Sequence, residues 1–121
     1  MSNPNRLVEG YPKLAAQMGH YPETAILRRF ATLNSQNLLY LQAELVHLEK
    51  RLRELEAVNN QAQSGNKSLY SKDWYWLKAS VDDGDGEQWQ VVLEARAKLK
   101  EYSTYFTNYS TYFHPHLKRH R

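Results

Sequence analysis

Leu38, Leu41, Leu45, Leu48, Leu52 and Leu55 recur at alternating spacings of three and four residues, and this alternation restricts the fold more than any other feature of the chain. At a mean spacing of 3.5 residues a row of leucines stays on one narrow side of an α-helix, where a second helix can cover it; a strand would scatter the same residues over both faces. Pro22 is well placed to open the helix, and no Gly or Pro interrupts the chain from Glu23 until Gly65, so a long helix is expected over 22–59. Within it Ile26, Phe30 and Leu33 lie out of phase with the leucines. That predicts a stutter near 34–37, where the apolar face rotates and Asn34 falls on the extrapolated seam as a register-fixing amide.

A seam needs a partner, and the chain supplies one. Val92, Ala95, Leu99, Tyr102, Phe106, Tyr109 and Phe113 again alternate by three and four, with Trp89 one step before them. Asp85 and Gln88 have the spacing of a capping box and Glu87 suits the first turn, so a helix is expected over 87–113. Between the two, residues 60–86 read as an irregular connection in which Trp74, Tyr75, Trp76 and Leu77 fold back over one end of the pair. Pro12 opens a short helix over 11–18 that Gly19 stops. The fold class is therefore all-α: a long antiparallel, coiled-coil-like helical hairpin with a short N-terminal helix, forming one domain over 1–113. Equal rise along both helices places Leu55 near Trp89 or Val92 and Leu38 near Phe106 or Tyr109. Ser-Thr-Tyr-Phe occurs twice between Ser103 and Phe113, seven residues apart. Its composition also suits a strand, but the heptad phase assigns it to the helix. Glu49 with Arg53 and Lys50 with Glu54 sit four apart on the outer surface as supporting pairs.

Composition limits the chemistry. The 121 residues contain no cysteine, which removes disulfides, thiolate nucleophiles and cysteine-based zinc sites together. The formal charge of +3 resides in Lys118, Arg119 and Arg121, so the body of the chain is balanced and lacks a basic stripe for specific nucleic-acid binding. Glu44 and His47 have the spacing of half a di-iron site, but the later helix brings no second copy, so they read as a flanking polar pair. Asp83, Asp85, Glu87 and Glu94 match four positions of a calcium loop, yet Gln88 stands where its turn requires glycine. His114, His116 and His120 carry imidazoles on a tail, 114–121, that Pro115 separates from the helix. There is no phosphate-binding glycine loop and no nucleophile elbow. The expectation is a non-enzyme without cofactor or metal whose interaction residues are the seams themselves, Leu38, Leu41, Leu45, Leu48, Leu52, Leu55, Val92, Leu99, Tyr102, Phe106, Tyr109 and Phe113. Its partners are then another copy or a partner helix, because Tyr105 and Tyr112 widen the aromatic face beyond what one helix covers. An anionic membrane surface touched through Lys118, Arg119 and Arg121 is the alternative. With no signal-like start and no membrane-length apolar run, the chain is expected to be soluble and cytoplasmic.

Gly10-Tyr11-Pro12-Lys13-Leu14-Ala15, Arg28-Arg29-Phe30, Leu33-Asn34 and the run from Asn37 to Leu45 are similar to the signature of a fungal family of unknown function. Leu93, Arg96 and the run from Lys98 to Tyr102 resemble its next helix. The resemblance covers about residues 10–102 and implies a helical region that relatives follow with C-terminal membrane segments. Beyond Tyr102 this chain departs from that pattern and ends in a Tyr-rich repeat and a basic tail, which leaves a truncated version, an alternative form and a gene-model artefact as the open readings. The family implies no functional residue.

Overall fold

The structure, a computed structural model, describes residues 6–112. The chain divides into two compact units, Met1–Phe30 and Ala31–Arg121.

In the first unit Gly10, at φ 103°, leads into helix α1, Tyr11–His20, with Pro12 in its first turn. The Lys13 ammonium and Glu9 carboxylate meet at 2.5 Å. The helix runs through Gly19, where a stop was expected, and is closed by the Tyr21 N–H donating to the Gln17 carbonyl at 2.8 Å. A single 3-10 turn follows at Pro22–Thr24. Residues 25–30 are not helical, so the long helix does not begin at Pro22. Ile26 is 91% exposed and Leu27 also lies in the open; without a surface to bury them, nothing holds this stretch in helix. Phe30, at φ 52°, then takes the left-handed conformation, which a helix cannot continue through. The phase slip between Ile26, Phe30 and the leucines is thus resolved by ending one element and starting another, not by a stutter inside a helix.

The second unit is built on helix α2, Ala31–Asn60, and helix α4, Glu87–Tyr112. They run antiparallel. Asn59 Nδ2 donates to Gln88 Oε1 at 2.9 Å, while further along Lys98 meets Glu44 at 3.1 Å, so rising numbers on one helix face falling numbers on the other. The connection contains an element the sequence did not announce: helix α3, Trp74–Asp83, preceded by a 3-10 turn at Lys67–Leu69. Asp73 caps α3 by accepting the Tyr75 N–H at 3.0 Å, and the Gly84 N–H closes it on the Ser80 carbonyl at 2.8 Å. No strand occurs among the described residues.

The core lies along the α2–α4 seam and is sealed at the loop end. Its buried apolar residues are Leu38, Leu41, Leu55, Tyr70 and Val91, with Leu45, Leu48 and Leu52 half-buried between them. Tyr70, not the tryptophan cluster, is the aromatic that closes this end: Trp76 and Leu77 are half-buried, whereas Trp74 and Tyr75 are exposed. The Tyr70 hydroxyl reaches under Gly84, where an added Cβ would meet it at 2.6 Å. Burial pushes the Tyr70 phenol up, with Asp85 and Asp83 adding to the shift. Gly86 turns the chain into α4 at φ 66°, its backbone close against Val81. Asp85 does cap here, accepting the Glu87 N–H at 3.0 Å. Gln88 does not complete a capping box; its side chain is buried between Asn59 and Ser71.

Candidate interaction face

On α2 Leu38, Leu41 and Leu55 are buried and Leu45, Leu48 and Leu52 half-buried, and the row continues one step past Leu55 to Asn59, which is buried. The buried amide on the seam is therefore Asn59; Asn34 lies on the exposed surface of α2. On α4 the seam is turned by a fraction of a residue. The positions that face α2 are Gln88, Val91, Ala95, Lys98, Tyr102 and Tyr109, all buried or half-buried. Ala95, Tyr102 and Tyr109 belong to the expected set, but Val91 and Lys98 replace Val92 and Leu99 at the alternate positions. Val91 is 7% exposed and Leu99 is 52% exposed; Val92 is half-buried and Phe106 exposed. Phe113 lies outside the described residues. In this phase α4 makes the buried pair Asn59–Gln88 and the partly exposed pair Glu44–Lys98, two interhelical contacts that an apolar count does not register.

Two helices side by side form a layer with two broad faces, and this layer differs between them. One face is charged. Arg51 pairs with Glu87 and Glu44 with Lys98, whose ammonium is held above the ordinary lysine range by that hydrogen bond. His47 and Glu94 line the same hollow as Glu44 and Lys98. Glu44 is thus drawn to a lysine on α4. Asp83 accepts from Asn66 Nδ2 at 2.9 Å and Asp85 caps α4, so the calcium-loop positions are spread over separate tasks. Among the described residues no group of three or more His, Asp or Glu side chains is placed to hold a metal ion. His114, His116 and His120 lie outside those residues, as do Lys118, Arg119 and Arg121.

The other face is apolar. Leu45, Val46, Leu52, Ala95, Leu99 and Tyr102 line an open groove of about 360 Å³, with Gln42, Glu49 and Arg53 on its α2 side. Seven-residue steps along each helix extend it, because positions seven apart share a side of a paired helix. Leu39 precedes Val46 on α2 and Phe106 follows Leu99 on α4, and both are exposed. Tyr102 and Phe106 stack with ring centroids 5.9 Å apart. These side chains are the expected interaction residues in part, Leu45, Leu52, Leu99, Tyr102 and Phe106. Leu39 and Val46, missed in the sequence, have the one legible signal of apolar residues seven apart beside the leucine row.

Fold and faces together define an all-α protein whose body is a two-helix layer, with ion pairs between the helices on one side and an apolar groove on the other. The chain belongs to the family of unknown function DUF6594, whose profile matches residues 11–121. The match runs past Tyr102, through the Tyr-rich repeat and the tail, so the family pattern does not stop where the resemblance had placed its end. No curated protein and no solved structure matches the chain. No helix among the described residues is long and apolar enough to cross a membrane.

Proposed function

We propose that this chain is a non-catalytic helical interaction module that associates with itself through the apolar face of the α2–α4 layer, in coiled-coil-like packing. One observation carries the reading: Val46 and Leu99 stand exposed at an open groove whose floor is formed by the half-buried Leu45, Leu52 and Tyr102, and the exposed Leu39 and Phe106 follow seven residues farther along each helix. Scattered apolar residues on a surface are ordinary, but a contiguous row along two helices is the kind of surface that another helix covers. Tyr105, also exposed, adds apolar area farther along α4. Sedimentation equilibrium at rising concentrations tests the reading. The expected result is a mass that climbs to twice that of the chain, and a Leu99→Glu, Phe106→Glu double variant that stays monomeric with an unchanged helical spectrum. A wild-type chain that is monomeric throughout ends it.

The charge of the last eight residues favours a second reading, a peripheral contact with an anionic surface. Lys118, Arg119 and Arg121 carry the whole formal excess of the chain, and clustered basic residues bind acidic lipid in a salt-sensitive way. Flotation with phosphatidylserine vesicles is expected to lose its bound fraction when residues 114–121 are deleted. Equal binding by both forms removes the tail from the account.

A further inference from the structure

Resting on the self-association reading, we infer that the second copy lies with its α4 over this chain's α2, related by a two-fold axis parallel to the helices, and that Glu49 and Arg96 of opposite copies form the polar contact fixing that arrangement. Two identical layers stacked by their apolar faces with helices aligned can be related in two ways. An axis parallel to the helices sets α2 over the other copy's α4. An axis across them sets α2 over α2 and α4 over α4. The side chains on the two strips decide between these.

On α2 the strip bordering the groove reads Leu39, Gln42, Val46, Glu49, Arg53 and Glu56; on α4 it reads Trp89, Val92, Arg96, Leu99, Ser103 and Phe106. The first holds two acids and one base, with Arg53 and Glu56 paired at 2.8 Å. The second holds a single base and no acid, with the Arg96 guanidinium 5.4 Å from the centre of the Trp89 ring. A parallel two-fold leaves the height of every residue unchanged, so the register between copies is the register already present within the chain. Within the chain Asn59 meets Gln88 and Glu44 meets Lys98, which sets Val46 within about one turn of Leu99 in height. The same heights then bring Val46 to Leu99 of the second copy. Seven residues along, Leu39 meets its Phe106, and three residues the other way Glu49 meets its Arg96. At these three rungs apolar groups face apolar groups and an acid faces a base, the pattern that sets partner and register in helix assemblies, while beyond Glu49 the mutually paired Arg53 and Glu56 come to Val92 and Trp89. The crossed axis, centred on the α2 strip, would put Val46 beside Glu49 and Leu39 beside Glu56 of the other copy, which buries carboxylates against apolar side chains. Either axis makes every neighbouring pair of helices antiparallel, as in a four-helix bundle, so the side chains on the strips alone separate the two.

The chain has no native cysteine, so single cysteines report on neighbours cleanly. Val46→Cys and Leu99→Cys change exposed positions and are each expected to keep the helical spectrum. Treated with a short bismaleimide, an equal mixture of the two variants is expected to give a cross-linked dimer several-fold more abundant than either variant alone, because like positions lie diagonally across the bundle. Glu49→Arg is expected to weaken self-association about tenfold, and adding Arg96→Glu to restore it to within about threefold. A dimer in which Val46→Cys alone cross-links as well as the mixture, or in which the double charge swap restores nothing, overturns this arrangement and leaves self-association standing. A chain monomeric at every concentration overturns both.

Discussion

Asn59 occupies the seam position after Leu55, where another apolar residue would have extended the leucine row. It donates instead to Gln88, and Gln88 Nε2 donates to Ser71 Oγ at 3.3 Å, so one small network joins α2, α4 and the turn before α3. Both amides are almost fully buried, which makes the loss of one costly for the other. Asn59→Ala is expected to lower unfolding free energy by about 1–3 kcal/mol in urea titration, whereas Asn59→Leu with Gln88→Leu is expected to recover most of it, since no polar group is then stranded. Tyr70 gives a pH-dependent counterpart. Its folded phenol titrates above the ordinary range, so the folded state holds a proton that the unfolded state releases first, and stability present below about pH 10 falls as pH rises further. Melting curves from pH 9 upward are expected to decline in the wild type and to decline less in Tyr70→Phe. Ser110 is buried with a hydroxyl that finds no hydrogen-bond partner among the described residues. Ser110→Ala is therefore expected to be neutral or slightly stabilising in the same titration.

At the scale of elements the rotation of α4 matters most. Leu41 is 4% exposed while Leu99 is 52% exposed, although the alternating pattern in the sequence gives the two equal standing. Leu41→Ala is expected to cost about 2–4 kcal/mol and Leu99→Ala less than about 1 kcal/mol in an isolated chain, as measured by denaturant unfolding at low concentration. A shared cost would mean that α4 sits in the phase its aromatic row suggests. The α3–α4 joint rests on Gly86, which combines a left-handed φ of 66° with a backbone approach that leaves an added Cβ 3.1 Å from Val81 Cα. Gly86→Ala is expected to destabilise by about 1–2 kcal/mol, read as a lower urea midpoint with an unchanged slope. Helix α3 was legible only in hindsight. Its N-cap, Asp73, is a strong signal, but ten residues give too little periodicity to set it apart from the polar stretch around it.

Over the whole molecule, stability belongs to the second unit. Among the described residues all buried apolar side chains fall between Leu38 and Val91, and no residue of α1 is buried. A chain beginning at Ala31 is accordingly expected to melt within a few degrees of the complete one, followed by circular dichroism at 222 nm; a large loss would show that residues 1–30 contribute to the core. The layer also explains why the interaction face was only half readable. Two helices enclose little core between them, so the middle of the seam, Leu45, Leu48 and Leu52, is only half-buried. Which side stays open depends on the rotation of α4, and the buried pair that goes with that rotation, Asn59 with Gln88, joins residues 29 positions apart.

What the sequence by itself determined was the all-helical class, the leucine seam of α2 and the pairing of that seam with a second helix, because these follow from spacing along a single helix and need no knowledge of the neighbour. The tertiary structure alone decided where α2 begins, that α3 exists, and which residues of α4 face inward. Helix starts depend on whether an apolar stretch finds a surface to cover, and Ile26 and Leu27 find none. Helix rotation depends on where buried polar groups meet their partners, a condition between distant segments that periodicity within one segment cannot express.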